Sequence, residues 1–256
     1  MGRASSAVES PQRRDVPLAG YGRLDAVVPV LYAQRLERRA GDVRGYLAQG
    51  YGMLAEILDV VPPKITALLV ADEDWRSAPR ENARPYPPGL PYFTRSVEPP
   101  ALVLPEELSS VFRPRTSATL PLTVWHELAH AFVLGREVVR TPAWLGELVP
   151  QAASAAIARR AGLPLEDHLS RIEKEPGFTV RGFSGPAGAR DQMSFQNLLL
   201  VLGAATLAEV GEGFLRRIFH TLWEEVEVVD EERAEELLGD ALGPGGRAWL
   251  ASRPEF

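Results

Sequence analysis

His126 and His130 stand four residues apart in the stretch WHELAH, and Glu127 directly follows the first. Residues at that spacing share one face of an α-helix, about 5–6 Å apart at Cβ, so a joint task for the two imidazoles requires this segment to be helical. The surrounding pattern agrees. LPLTVWHELAHAFVLG spaces Leu122, Trp125 or Val124, Leu128 and Phe132 for burial and reaches a natural helix stop at Gly135. Two imidazoles converging from one helical face suit a metal ion. Glu127 projects roughly 100° around the helix, where it reaches a metal-bound water without ligating the metal. That separation of ligand from base is what metal-assisted hydrolysis needs, because zinc lowers the pKa of its water to about 7 and a carboxylate takes the proton. The competing reading is a helix whose histidines are only satisfied polar groups.

The chain has no cysteine, so disulfides and thiolate ligands are excluded and a metal must be held by histidine and carboxylate. With four histidines in 256 residues, the pair in WHELAH takes half of the supply. A net charge of −6 opposes a dedicated nucleic-acid binder, whose phosphate contacts need a basic face. Residues 1–20 are polar and without period, which predicts a flexible arm ahead of one unit over 21–256. The opening MGRASSAVESPQRRD has no apolar core of signal-peptide length, and NLLLVLGAATLAEV, the most apolar run, is too short to span a bilayer. A cytoplasmic protein with no membrane partner is expected.

Along the chain, Leu31, Leu36, Val43, Leu47, Tyr51, Leu54 and Leu58 form a helical stripe over 27–58, with a break expected near Gly41 and a stop at VPP. KITALLVAD, YFTRS and ALVLP read as strands, separated by a proline-rich loop over 78–91. After the histidine helix, TPAWLGEL begins a second one, with Thr141 as N-cap, Pro142 at the first helical position and a kink or break at Pro150. A mixed segment with a loop over 175–191 precedes helices at 192–209, 213–227, 230–241 and near RAWLAS. The acidic run EEVEVVDEERAEELLGD reads as a solvated helix face. The fold class predicted is α+β: an α/β part to about residue 135, then a mainly helical part.

A third ligand is the check on the metal reading. Glu147 lies on the next predicted helix, after a connection long enough to fold that helix back, and a buried carboxylate needs a partner such as a metal. Glu137, seven residues after His130, is a rival with little room to return.

HELAH followed by TPAWLGE resembles the gluzincin group of zinc metallopeptidases, which carry HExxH and then a P-x-W-L-x-E block on the following helix. The order of elements over roughly 27–252 is similar to peptidase MA-like domains, although only the two short blocks are specific. The resemblance implies a zincin-like fold, Zn²⁺ held by His126, His130 and Glu147, and Glu127 as general base. Trp144 and Leu145 would pack to hold Glu147, and ALVLP is the candidate edge strand for an extended peptide substrate, or an ordinary sheet edge. The chain departs from the family at Leu148, where a glycine is usual, and at Pro150. Many gluzincins add a tyrosine or histidine from the C-terminal half to stabilise the oxyanion. No tyrosine follows Tyr92, which leaves His220, then His168, and at lower rank Arg181 and Arg190. Two functions are therefore expected in order: a zinc peptidase, and a zinc-containing domain of weak activity that binds a peptide or protein partner.

Overall fold

The structure, a computed structural model, describes residues 20–81, 88–110, 112, 114–134, 140–175, 177–183 and 189–256. The first nineteen residues of the expected arm, Gly135, Glu137 and part of the proline-rich loop lie outside the described residues.

Five short strands form one mixed sheet: β1 (Gly22–Leu24), β2 (Val30–Tyr32), β3 (Thr66–Val70), β4 (Tyr92–Thr94) and β5 (Ala101–Pro105), in the order β1-β2-β3-β5-β4. The three central strands run parallel, and β1 and β4 pair antiparallel at the two edges. VVPVLY thus supplies a strand and not the start of a helix. Val30 and Tyr32 point to the main core while Leu31 packs on the opposite face, an alternation of period two that β-branched and aromatic residues favour. ALVLP is not an edge: Leu102 pairs with Ala67 on one side and with Phe93 on the other. The described edge beside it is β4.

Both faces of the centre are covered. Ala67, Leu69, Leu102 and Leu104 enter the main core that the sheet shares with the helices. Leu68, Val70, Ala101 and Val103 meet Trp75, Ala78, Tyr92 and Val97 behind it. Strands buried on two faces read as continuous apolar runs, which is why KITALLVAD and ALVLP are legible as strands.

A 3₁₀ turn at Gln34–Leu36 leads into α1 (Glu37–Leu58), which runs unbroken through Gly41. Its buried stripe is Ala40, Val43, Leu47, Gly50, Leu54, Ile57 and Leu58. The helical half comprises α2 (Thr119–Leu134), α3 (Ala143–Arg160), α4 (Leu165–Ser170), α5 (Ala189–Val210), α6 (Gly213–Glu224), α7 (Glu231–Leu242) and α8 (Gly246–Ala251). The acidic run is not one helix face: residues 225–230 interrupt it, and Asp230 caps α7 by accepting from the Arg233 N–H at 2.8 Å.

α3 lies between α2 and α5. Thr141 does not cap it; Pro142 is the N-cap, and its carbonyl accepts from the Leu145 and Gly146 N–H groups. Pro150 sits inside α3 and cannot donate to the Gly146 carbonyl, yet the helix continues to Arg160. Burial against two neighbouring helices outweighs the one lost hydrogen bond: from Ala152 to Ala158 every residue is buried. α5 is longer than the sequence suggests. Its stretch Arg190–Val210 is long and apolar enough to cross a membrane, but 56% of the most apolar window is buried inside the protein, as in a core helix.

Candidate metal centre

The histidine helix is set in place by its neighbour on the opposite face. The Trp125 indole N–H donates to the Tyr46 carbonyl of α1 at 2.8 Å, and its ring meets the Tyr46 ring edge-on at 6.1 Å. Gly50 lies below that indole, where a Cβ would stand 2.5 Å from Trp125 Cδ1. Leu128 and Phe132 are buried on the same helix. At its N-terminal end, Thr119 Oγ1 donates to the Pro114 carbonyl at 2.8 Å and accepts from the Thr116 N–H at 2.9 Å. α2 therefore has a defined rotation, and that rotation turns His126 and His130 toward α3.

On α3, the AWLGE block positions Glu147. Trp144 Nε1 donates to Glu231 at the start of α7 at 2.6 Å, and its ring packs edge-on against Phe256 at 5.2 Å. Leu145 is fully buried. Together they hold the first turn of α3 against the helical half, as their predicted packing role requires.

His126, His130 and Glu147 meet. The two Nε2 atoms are 3.0 Å apart, and Glu147 Oε2 lies 3.2 Å from that of His126 and 3.3 Å from that of His130. For bonds of about 2.0–2.1 Å, a tetrahedral zinc site has ligand–ligand edges of about 3.3–3.4 Å, so this triangle fits one metal ion with little adjustment. The donor set fits as well, since two imidazoles and a carboxylate are a common holder of a divalent ion with an open fourth position. The other ring nitrogens, Nδ1 of both histidines, are buried without a hydrogen-bond partner among the described residues.

The charges are strongly coupled. Burial works against the Glu147 carboxylate, but His130 and His126 outweigh it and hold the carboxyl well below its usual range. Burial opposes a charge on His130, and Glu147 more than compensates, raising its pKa. Burial pushes Glu127 up, partly offset by the two histidines and reinforced by Glu147. Glu127 is only 6% exposed and has no hydrogen-bond donor among the described residues. It stands beside the triad as a carboxyl group with raised proton affinity.

The remaining sequence candidates are engaged elsewhere. His220 Nε2–H donates to the Leu58 carbonyl at 3.0 Å and so caps the end of α1, with its ring parallel to that of Trp223. His168 is buried, with Nδ1 2.8 Å from Thr116 Oγ1, and braces the approach to α2. Arg181 pairs with Glu235 and lies over the Phe256 ring, and Arg190 pairs with Glu175. None of the four contacts the triad.

One neighbour was not legible beforehand. Gln196 of α5 donates from Nε2 to Glu147 Oε2 at 2.8 Å, and its own Oε1 accepts from Gln151 Nε2 at 2.6 Å. The available signal was a pair of adjacent amides, Gln196 and Asn197, at the head of the apolar run NLLLVLGAATL.

The chain matches no protein-family model and no curated protein. The functional reading rests on the geometry of the site and on its short motifs.

Proposed function

We propose that this chain is a zinc-dependent peptidase of gluzincin type, with His126, His130 and Glu147 as ligands and Glu127 as general base. The observation that carries the reading is the triangle of 3.0–3.3 Å edges closed by two helices, with a buried carboxyl of raised pKa one residue from its first member. When bound, the ion supplies Lewis-acid polarisation and water activation. Glu127 accepts a proton as water adds to the peptide carbonyl and returns it to the departing amine, a task suited to a carboxyl whose proton affinity burial has raised. The substrate edge on this reading is β4, the antiparallel edge strand that packs near α2, to which an extended peptide adds by backbone pairing.

The test is metal analysis of the purified chain beside Glu147→Ala, followed by a peptide-hydrolysis screen. About one zinc per chain, lost or weakened in the variant, supports the site. No zinc in either protein after reconstitution overturns it.

A second reading is favoured by one observation: none of His220, His168, Arg181 and Arg190 contacts the triad, so no oxyanion stabiliser stands among the described candidates. A zinc-containing domain that binds a peptide or protein partner with little turnover needs none. Glu127→Gln separates the two, since a cellular role that survives it belongs to the binding domain.

A further inference from the structure

Gln196 touches Glu147 at the same oxygen that faces both imidazoles. Its amide cannot be turned round without cost. Gln151 Nε2 already occupies Gln196 Oε1 as a donor, and a flipped amide would set oxygen against the carboxylate on one side and N–H against N–H on the other. Gln151 lies one helical turn after Glu147 on the same face of α3, so a single side chain from α5 bridges both. The reach is short because α5 approaches closely: two turns after Gln196 is Gly203, where a Cβ would stand 2.9 Å from Ala152 Cα.

Two half-buried amides between otherwise apolar helices are costly unless paired. Their bond to each other satisfies one group apiece, and the chain of hydrogen bonds continues from Gln196 to Glu147. A donor on the ligating oxygen fixes the carboxylate's direction and leaves that oxygen facing the histidines.

We propose that Gln151 and Gln196 form a positioning relay that orients Glu147 as a single-oxygen ligand, making α5 part of the metal centre. This rests on the zinc reading above. Neither amide touches substrate, so both are positioning residues and not catalytic ones.

The test is zinc affinity by chelator competition for the wild type, Gln196→Leu and Gln151→Leu, with thermal unfolding of the metal-free proteins and the visible spectrum of their Co²⁺ forms. Gln196→Leu is expected to weaken zinc about 10–100-fold and to alter the Co²⁺ spectrum, with Gln151→Leu moving both in the same direction by less. A packing role alone lowers the unfolding midpoint and leaves affinity and spectrum unchanged, and that result overturns the relay. If Gln196→Leu does not fold, Gln151→Leu decides on the same two readouts. A wild type that takes up no zinc overturns the metal reading itself, whereas zinc bound equally by all three proteins overturns only the relay.

Discussion

Gly50 and Trp125 are in direct contact across α1 and α2, so close that a Cβ on residue 50 would lie 2.5 Å from the indole. The indole is anchored by its hydrogen bond to Tyr46, and His126 is the next residue. Packing on one side of α2 thus sets the direction of the two imidazoles on the other.

Gly50→Leu is expected to destabilise the protein by about 1–3 kcal/mol, because overpacking a filled core outweighs the gain in helix propensity of about 1 kcal/mol. It should also weaken zinc binding, since the indole can yield only by shifting α2. Urea unfolding and metal titration check both. An unchanged midpoint would contradict the packing argument.

Removal of the metal should lower the thermal midpoint. An ion bound only by the folded chain stabilises it by RT ln(1 + [L]/Kd), about 4 kcal/mol at a thousandfold excess over Kd. Scanning calorimetry with and without a chelator reads the effect, and His126→Ala should show none of it.

Glu127→Gln should retain zinc and lose about 10²–10⁴-fold in hydrolysis, the usual contribution of a positioned general base. Steady-state kinetics on the zinc-loaded variant, with metal content measured in parallel, provides the check. Retained turnover would remove Glu127 from the chemistry.

His220→Ala should leave hydrolysis unchanged and cost about 0.5–1.5 kcal/mol of stability, the net worth of a hydrogen bond to a helix-terminal carbonyl. A large fall in kcat at unchanged stability would restore the oxyanion role that the sequence suggested.

Burial holds the His168 pKa below the ordinary histidine value, against an opposing pull from Asp167. Below the unfolded pKa of about 6.5 the unfolded chain binds the proton more readily than the folded one, so the His168 contribution is lost as pH falls through that value. Compared with the wild type, His168→Gln should therefore lose less stability between neutral and mildly acidic pH. Urea midpoints of both zinc-loaded proteins across that range measure the difference; parallel curves would refute it.

The candidate ligands were legible because their signals are local. HELAH needs only a helix to bring two imidazoles together, and AWLGEL announces the next helix with its carboxylate. The errors fall where local signals compete. Val30–Tyr32 lies within a run of apolar residues that also suits a helical stripe, and only pairing with β3 makes it a strand. ALVLP has the look of any buried strand, and its place inside the sheet depends on β4, three residues long and separated by a turn. His220 stood as a candidate only because the resemblance calls for a tyrosine or histidine from the C-terminal half and no tyrosine follows Tyr92, and no local signal says that it meets the end of α1.

The sequence alone determined that two histidines and a glutamate lie on one helix, that no thiolate can assist them and that a carboxylate follows on a second helix. The tertiary structure decided that Glu147 meets the pair, that His220 and His168 are engaged elsewhere, and that Gln196 reaches Glu147 from α5. The reason is physical. Periodicity within a helix fixes which residues share a face, but which faces meet is set by close contacts between helices, here Gly50 under Trp125 and Gly203 against Ala152.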